Sequence, residues 1–512
     1  MALIQVADLT FSYEGSADEV FLNASFRIDT DWKLGLIGRN GKGKTTLLNL
    51  LMGKYEYSGS ITANARFDYF PYFVANADRA KTGAELMECW KPQVELWQVL
   101  IQMDQLQMDP ECLYRPFMTL SYGERTRVML AVLFASENEF LLIDEPTNHL
   151  DGQARDIVKN YLSSKKGFIL VSHDRDLLDG VCDHVLVLNR ETIEVQAGNF
   201  SSWWENKEKM DAFRKSENEK HRKEIGKLRT AADRSSRWAD KSEGTKIGYD
   251  PVKDHDRNIS SRSYIGGKTK KMQARVKSYK TRIDREIEEK EGLLGDIERV
   301  ADLKIQPLLF RKEVLIDACD LSLRYAGAES DLFDGLRFQA RRGERVILSG
   351  ENGCGKSSIL KAILQMMDYP HSENEAEILI SGRLDVASGM IVSYVSQDTS
   401  FLAGPLREFI KNRGLNESLF LAVLRQLDFG REQFVKNMEE YSEGQKKKVL
   451  LAASLITPAH LYIWDEPLNY IDVFSRMQIE KLIQQYEPTM LMVEHDIRFQ
   501  ESVATDIIRI YA

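Results

Sequence analysis

Apolar residues along this chain follow two kinds of pattern, and the change between them divides it. Over residues 1–200 short apolar runs alternate with helical stretches. Leu34-Gly35-Leu36-Ile37 reads as a strand, and Thr46-Leu47-Leu48-Asn49-Leu50-Leu51 opens a helix. Residues 311–512 repeat the plan, with Val346-Ile347-Leu348-Ser349 as the strand and Ser358-Ile359-Leu360-Lys361 as the helix start. Between these halves Met272, Val276, Tyr279, Ile283, Ile287, Leu294, Ile297 and Ala301 recur at spacings of three, four and seven, a coiled-coil seam. Met210, Phe213, Ile225, Leu228 and Ala232 form a weaker version upstream. The two are separated by a stretch containing Gly244, Gly248, Pro251, Gly266 and Gly267. This pattern predicts an antiparallel helical hairpin with a long tip, since about 100 residues far exceed what a plain connection needs. The expected organisation is an α/β domain at 1–202, a hairpin linker at 203–302 with its tip at about 241–268, and a second α/β domain at 303–512.

Composition narrows the class. No run of 18 apolar residues occurs, so no membrane span is expected. Met1-Ala2-Leu3-Ile4-Gln5-Val6 enters a strand pattern directly, without the features of a signal peptide. The five cysteines lack metal-ligand spacing, which suits a reducing cytoplasm. The net charge of −9 hides a contrast: residues 201–310 hold 27 Lys/Arg against 20 Asp/Glu, leaving −16 for the rest.

The chemistry lies where strand turns to helix. Gly38-Arg39-Asn40-Gly41-Lys42-Gly43-Lys44-Thr45, followed by Thr46, matches the phosphate loop G-x-x-x-x-G-K-[ST]. Gly350-Glu351-Asn352-Gly353-Cys354-Gly355-Lys356-Ser357, followed by Ser358, matches it again. Glycines admit backbone N–H groups to the phosphates of ATP, Lys44 or Lys356 neutralises them, and Thr45 or Ser357 ligates Mg2+. Downstream, apolar strands end in Asp144-Glu145-Pro146 and Asp465-Glu466-Pro467. Asp144 and Asp465 are placed to hold the metal, and Glu145 and Glu466 to polarise the attacking water. His173 and His495 each follow a further strand and are candidates for contact with the γ-phosphate or that water.

Leu120-Ser121-Tyr122-Gly123-Glu124 and Tyr441-Ser442-Glu443-Gly444-Gln445 resemble the LSGGQ signature of ATP-binding cassette (ABC) proteins, about 20 residues before each acidic strand. Tyr13 and Tyr325 fit that family's adenine-stacking aromatic. Asn148-His149-Leu150-Asp151 and Asn469-Tyr470-Ile471-Asp472 fit its D-loop. The resemblance implies two tandem cassettes facing head to tail, in one monomer. One composite site would join Lys44, Asp144, Glu145 and His173 to Ser442, Gly444 and Gln445. The other would join Lys356, Asp465, Glu466 and His495 to Ser121 and Gly123. Gln397 stands at the Q-loop position of the second cassette, as a further metal ligand, and Tyr72 at that of the first. With the extra negative charge of Glu443 facing it, the first site is expected to hydrolyse more slowly.

Two cassettes flanking a charged helical linker resemble the ABC-F translation factors. Membership would imply a 70S ribosomal partner, with the linker entering the exit site toward P-site tRNA and 23S rRNA, and neither DNA nor a membrane domain as partner. Over 226–282 there are 16 Lys/Arg against 6 Asp/Glu, with Trp238, Tyr249, Tyr264 and Tyr279 interspersed, which fits phosphate contact and base stacking. Lys44 to Ser121 spans 77 residues and Lys356 to Ser442 spans 86, so no arm insertion is expected in the first cassette, nor a C-terminal extension. A long-tipped, armless chain is similar to the antibiotic-resistance branch, and Trp464-Asp465-Glu466-Pro467-Leu468-Asn469-Tyr470 with Trp32-Lys33-Leu34-Gly35-Leu36-Ile37-Gly38-Arg39-Asn40-Gly41 look most like Lsa-type proteins of Gram-positive bacteria. Those act on lincosamides, pleuromutilins and group A streptogramins. Ile259, Ser260, Arg262 and Tyr264 are the tip candidates for rRNA or drug-pocket contact. A housekeeping factor that relieves stalled ribosomes would carry the same chemistry, and an ATPase subunit of a drug exporter would need a membrane partner and leave the hairpin unexplained.

Overall fold

A computed structural model describes residues 3–14, 19–136, 139–148, 150–189, 193–244, 270–271, 274–279, 281–283, 285, 304–328, 330–369 and 377–511. The chain forms two compact units, Met1–Trp203 with Ala301–Ala512, and Trp204–Val300. The tip candidates Ile259, Ser260, Arg262 and Tyr264 lie outside the described residues.

The first unit holds two α/β domains of the same plan. In the first, strands Arg66–Phe70, Glu139–Asp144, Phe168–Val171, Lys33–Gly38 and His184–Leu188 run parallel in that spatial order, and Ile193–Ala197 closes the sheet antiparallel. In the second the order is Val392–Val395, Leu461–Asp465, Met490–Val493, Arg345–Gly350 and Asp506–Ile510, parallel throughout. Central strands such as Phe-Ile-Leu-Val at 168–171 and Met-Leu-Met-Val at 490–493 are buried at every position, as a sheet covered on both faces requires. Each domain adds a three-stranded antiparallel sheet: Leu3–Ser12 pairs with Glu19–Asp29 and Ser58–Thr62, and Val314–Tyr325 with Phe333–Arg341 and Ile378–Val386. These sheets share their cores with the parallel ones, through Ile4, Phe26 and Leu142 in one half and Ile316, Phe338 and Ile463 in the other. A separate core under the second signature helix gathers Phe420, Leu424, Trp464 and Phe499; the Trp464 indole donates to Ser454 Oγ at 2.9 Å.

Parallel strands place their C-terminal ends, and the loops that follow, along one edge, where ligands of such sheets bind. Both phosphate loops, both acid pairs and both histidines leave the sheets there.

Helix Phe200–Gly244 opens the linker segment. Along the expected seam, Ile225 and Ile283 are buried, and Leu228 and Val276 half-buried. Met210, Phe213 and Tyr279 are instead exposed, so they do not join it. Among the described residues no helix is long and apolar enough to cross a membrane.

Candidate nucleotide-binding site

The two phosphate loops are built alike. Gly43 and Gly355 cap the helices Lys44–Leu51 and Lys356–Met366 in the left-handed conformation, φ 89° and 91°. Only glycine fits: a Cβ on Gly43 would stand 2.7 Å from Val20 Cγ1, and one on Gly355 3.0 Å from Phe333 Cδ1. Both lysines are buried and curl over their own loops. Lys44 donates to Gly38 O at 2.7 Å and Asn40 Oδ1 at 3.2 Å, and Lys356 to Gly350 O at 2.9 Å. Burial holds the Lys44 ammonium below its ordinary pKa, against the pull of Asp472, Glu145 and Asp144.

Thr45 Oγ1 donates to Asp144 Oδ2 and Ser357 Oγ to Asp465 Oδ1, both at 3.0 Å. Tyr13 OH meets Thr46 Oγ1 at 2.6 Å, and Tyr325 OH meets Ser358 Oγ at 2.8 Å. Each site thus has its hydroxyl on the acid and its aromatic on the loop's next residue. Both glutamates adopt left-handed backbone, φ 52° at Glu145 and 45° at Glu466, and their amides donate to Val171 O and Val493 O. Such strain at matched positions aims each carboxylate out of the strand end.

From here the halves diverge. Glu466 Oε2 accepts from Gln397 Nε2 at 2.9 Å and Asn469 Nδ2 at 2.6 Å. Burial alone would raise its pKa, but the His495 ring 3.7 Å away, Lys447 and the Gln397 amide together hold it below the ordinary value. Beside it, burial and the Glu466 charge push Asp465 up to about 6. Among the described residues Glu145 has no side-chain amide partner of this kind. Its Oε2 accepts from the His173 amide at 3.3 Å, and its Oε1 lies 3.3 Å from His173 Nε2. Burial, with the Asp144 charge, pushes Glu145 up to about 8. Burial, with Lys44 and Arg476, holds His173 well below the usual imidazole value. The first acid is therefore drawn toward its protonated form beside a ring drawn toward its neutral form, and the second toward its ionised form.

Tyr72 occupies the register of Gln397, since Phe70 pairs with Ile143 as Val395 pairs with Trp464. Its side chain nevertheless turns away from the acids. The hydroxyl donates to Asp68 Oδ2 at 2.6 Å, and the ring stacks on Trp90 at 4.8 Å. Lys91 joins Asp68 and Glu139, both at 2.7 Å, in the same buried cluster. Tyr69 comes to the site in its place, donating to Asp144 Oδ2 at 3.1 Å. Alternation along the strand carries the signal: Tyr69 lies on the opposite face from Phe70. Glu443 is also less exposing of charge than its type implies, because Thr399 donates to it at 2.6 Å and Lys446 pairs with it at 3.2 Å.

The two domains meet at the first loop. A cavity of about 750 Å³ is lined from one side by Tyr13 and residues 40–46, and from the other by residues 442–445. Asn40 Nδ2 donates to Tyr470 O at 2.9 Å across the contact. Gly444 has no room for a Cβ, which would lie 2.6 Å from that same carbonyl. Ser442 caps the helix Glu443–Ile456 reciprocally with Gln445. At the other pairing, Asp151 Oδ2 accepts from the Asn352 amide at 3.4 Å. Ser121 and Gly123 make their described contacts within their own half: Ser121 caps Tyr122–Leu133, and Gly123 packs near Leu150 and Ala154.

Two cations near the first site, Lys448 and Arg476, escaped the motif reading. Lys448 pairs with Asp472 at 3.2 Å, and Arg476 donates to Asp496 Oδ2 at 2.9 Å, all buried. The Lys448 charge and the Ser475 amide hold Asp472 well below the carboxylate range, although burial opposes them. Lys446-Lys447-Lys448 reads as a solvated run, yet Lys447 and Lys448 are each 2% exposed. The i, i+4 spacing from Gly444, which abuts Tyr470 of the D-loop and so puts Lys448 on the same helix face, is the signal that could have found it.

Comparison with known proteins agrees with this geometry. Residues 21–148 and 333–469 each match the family model described as ABC transporter. The ribosome protection protein VmlR of Bacillus subtilis (strain 168) is 28% identical over 501 residues, covering 96% of this chain and 84% of the relative. The putative ATP-binding protein YdiF of the same organism is 26% identical, covering 100% and 80%. The erythromycin resistance ATP-binding protein MsrA of Staphylococcus epidermidis is 25% identical, covering 92% and 90%. Among solved structures, the archaeal ribosome recycling factor aABCE1, in complex with the stalk protein aP1, shares the fold at a TM-score of 0.62 and 18% identity. That match covers 98% of this chain and 87% of the other.

Proposed function

The chain belongs to the ABC transporter family in both of its halves, and on that premise we propose that it is an ABC-F ATPase that protects the ribosome from antibiotics of the peptidyl-transferase centre. It is an ATP hydrolase. The observation that carries the ribosomal reading is the segment between the cassettes, which is basic and aromatic over 226–282 where a transporter subunit would need only a connection. VmlR and MsrA, similar to this chain over more than nine-tenths of its length, are named for ribosome protection and erythromycin resistance.

In this reading ATP draws the cassettes together, and each nucleotide lies between one phosphate loop and the opposite signature. Glu145 Oε1 and His495 Nε2 are buried without a hydrogen-bond partner among the described residues, as groups facing a reactant or water would be. Thr45 with Asp144, and Ser357 with Asp465 and Gln397, are the oxygen donors that would hold Mg2+, a hard cation that takes few carboxylates and keeps water. Bound there, Mg2+ supplies charge neutralisation of the β- and γ-phosphates. Glu466 then accepts the proton of the attacking water in the second site, and Glu145, drawn up by burial, does so less readily. Closure fits the protein to the exit site of a stalled ribosome, where the linker displaces P-site tRNA and its tip perturbs the drug pocket. Hydrolysis reopens the clamp and releases it. The lincosamide, pleuromutilin and streptogramin A spectrum follows from the resemblance to Lsa-type proteins. A housekeeping role in relieving stalled ribosomes is the second reading, favoured by relatives such as YdiF that are named only for ATP binding.

The test is expression of the wild-type chain and of a Glu145→Gln/Glu466→Gln double variant in a susceptible host, with drug susceptibility and ribosome co-sedimentation measured. Resistance in the wild type and ribosome trapping in the double variant are expected. Unchanged susceptibility with intact trapping supports the housekeeping reading; no ribosome association in either state overturns both.

A further inference from the structure

The first site has a wall that the family motifs do not account for. Opposite Tyr13 and Val20, the cavity is lined by Asp428, Phe429, Gly430 and Gln433 of the other cassette. This loop is pinned at both ends. Asp428 pairs with Arg39 of the first phosphate loop at 3.8 Å, and Gln433 O accepts from Tyr441 OH at 2.8 Å, next to the signature serine. Backbone is thus anchored while the Gln433 carboxamide, half-buried, has no hydrogen-bond partner among the described residues. A carboxamide at a cavity wall is a donor and an acceptor at fixed spacing. That pattern matches the 6-amino group and N7 of adenine, whereas guanine presents two acceptors at the same edge.

The other half lacks the device. Counting back from the signature serine, the position of Gln433 is held by Cys112, whose thiol lies 3.6 Å from Glu124 Oε1 in its own domain. The partners Arg39 and Asp428 correspond to Glu351 and Gln107, which cannot form an ion pair. We infer that Gln433 reads the nucleobase of the first site from the opposite cassette, making that site selective for adenine while the second is permissive. The inference rests on the composite-site reading above.

The experiment uses the full chain with one phosphate loop disabled at a time, Lys356→Ala to leave the first site and Lys44→Ala to leave the second. Binding of ATP, GTP and purine riboside triphosphate, which lacks the 6-amino group, is measured by calorimetry. With only the first site, ATP is expected to bind about tenfold tighter than either analogue. Gln433→Ala, and Gln433→Met of similar length but without the carboxamide, reduce that preference to within about twofold. With only the second site, the preference is absent. A preference that survives both substitutions overturns the inference while leaving the composite site standing. Ser442→Arg separates the two claims: if ATP still binds the first site with wild-type affinity, the composite-site reading itself fails.

Discussion

The two cassettes share their phosphate loops, acid pairs and histidines yet surround their glutamates differently, and the contrast shows how a duplicated site can diverge while keeping its acids. In the second half Glu494 accepts the His495 amide at 3.0 Å, so Glu466 is left to Gln397 and Asn469. In the first half that residue is Ser172, whose hydroxyl accepts the Asp174 amide instead. The His173 amide then falls to Glu145. Burial and the Asp144 charge draw the first acid up although the His173 amide opposes them, while His495, Lys447 and the Q-loop amide hold the second down.

The largest expected difference between the halves is in stability. Asp472 is fully buried and serves Lys448, the Ser475 amide and the Ser475 hydroxyl, whereas its counterpart Asp151 caps Ala154 and reaches Asn352 at a half-buried position. Asp472→Ala should cost about 3–5 kcal/mol by stranding Lys448, and Asp151→Ala about 1 kcal/mol as a lost cap. Urea unfolding measures both, and equal costs would break the contrast. Because the folded Asp472 carboxyl is held low, its contribution is whole above roughly pH 4, where the unfolded group is ionised. It is lost as pH falls from there toward the lower folded value, and the wild-type urea midpoint should fall over that range.

Hydrolysis comes next. Glu466→Gln is expected to reduce steady-state ATPase about 100-fold, and Glu145→Gln less than about tenfold. Similar losses in the two variants would mean that the glutamates do equal work. A smaller effect separates register from role. Tyr72→Gln restores the family amide in sequence, yet it should not raise first-site turnover. It should destabilise by about 2 kcal/mol, through loss of the Trp90 stack and the Asp68 hydrogen bond. A gain in single-turnover hydrolysis with Lys356 disabled would show that a side chain at position 72 can reach the acids. Smallest of all, Tyr69→Phe removes one donor from Asp144. It should shift the Mg2+ concentration for half-maximal nucleotide binding by about fivefold at the first site only.

Much of this was legible before any coordinates. Each strand–loop–helix step shows its phosphate loop because the chemistry needs glycines and a lysine at adjacent positions. The acid pairs and histidines follow at matched distances in both copies. Tyr72 shows where that logic stops: register assigns it to the Gln397 position, but the hydroxyl is drawn off by Asp68, four residues earlier, and the ring by Trp90 at the end of helix Gly83–Trp90. Lys447 and Lys448 show it again, since a run of three lysines reads as solvated until a D-loop 24 residues away packs over Lys448.

By itself the sequence determined what is local and repeated: two cassettes, their phosphate loops, their acids and the basic segment between them. Backbone geometry and short-range spacing suffice for those features. Only the tertiary structure decided which tyrosine reaches Asp144, which glutamate is drawn toward its protonated form, and that Gln433 lines the cavity at the first loop. Each of these depends on groups remote in the chain, and on burial, which strengthens every charge and hydrogen bond that folding brings within reach.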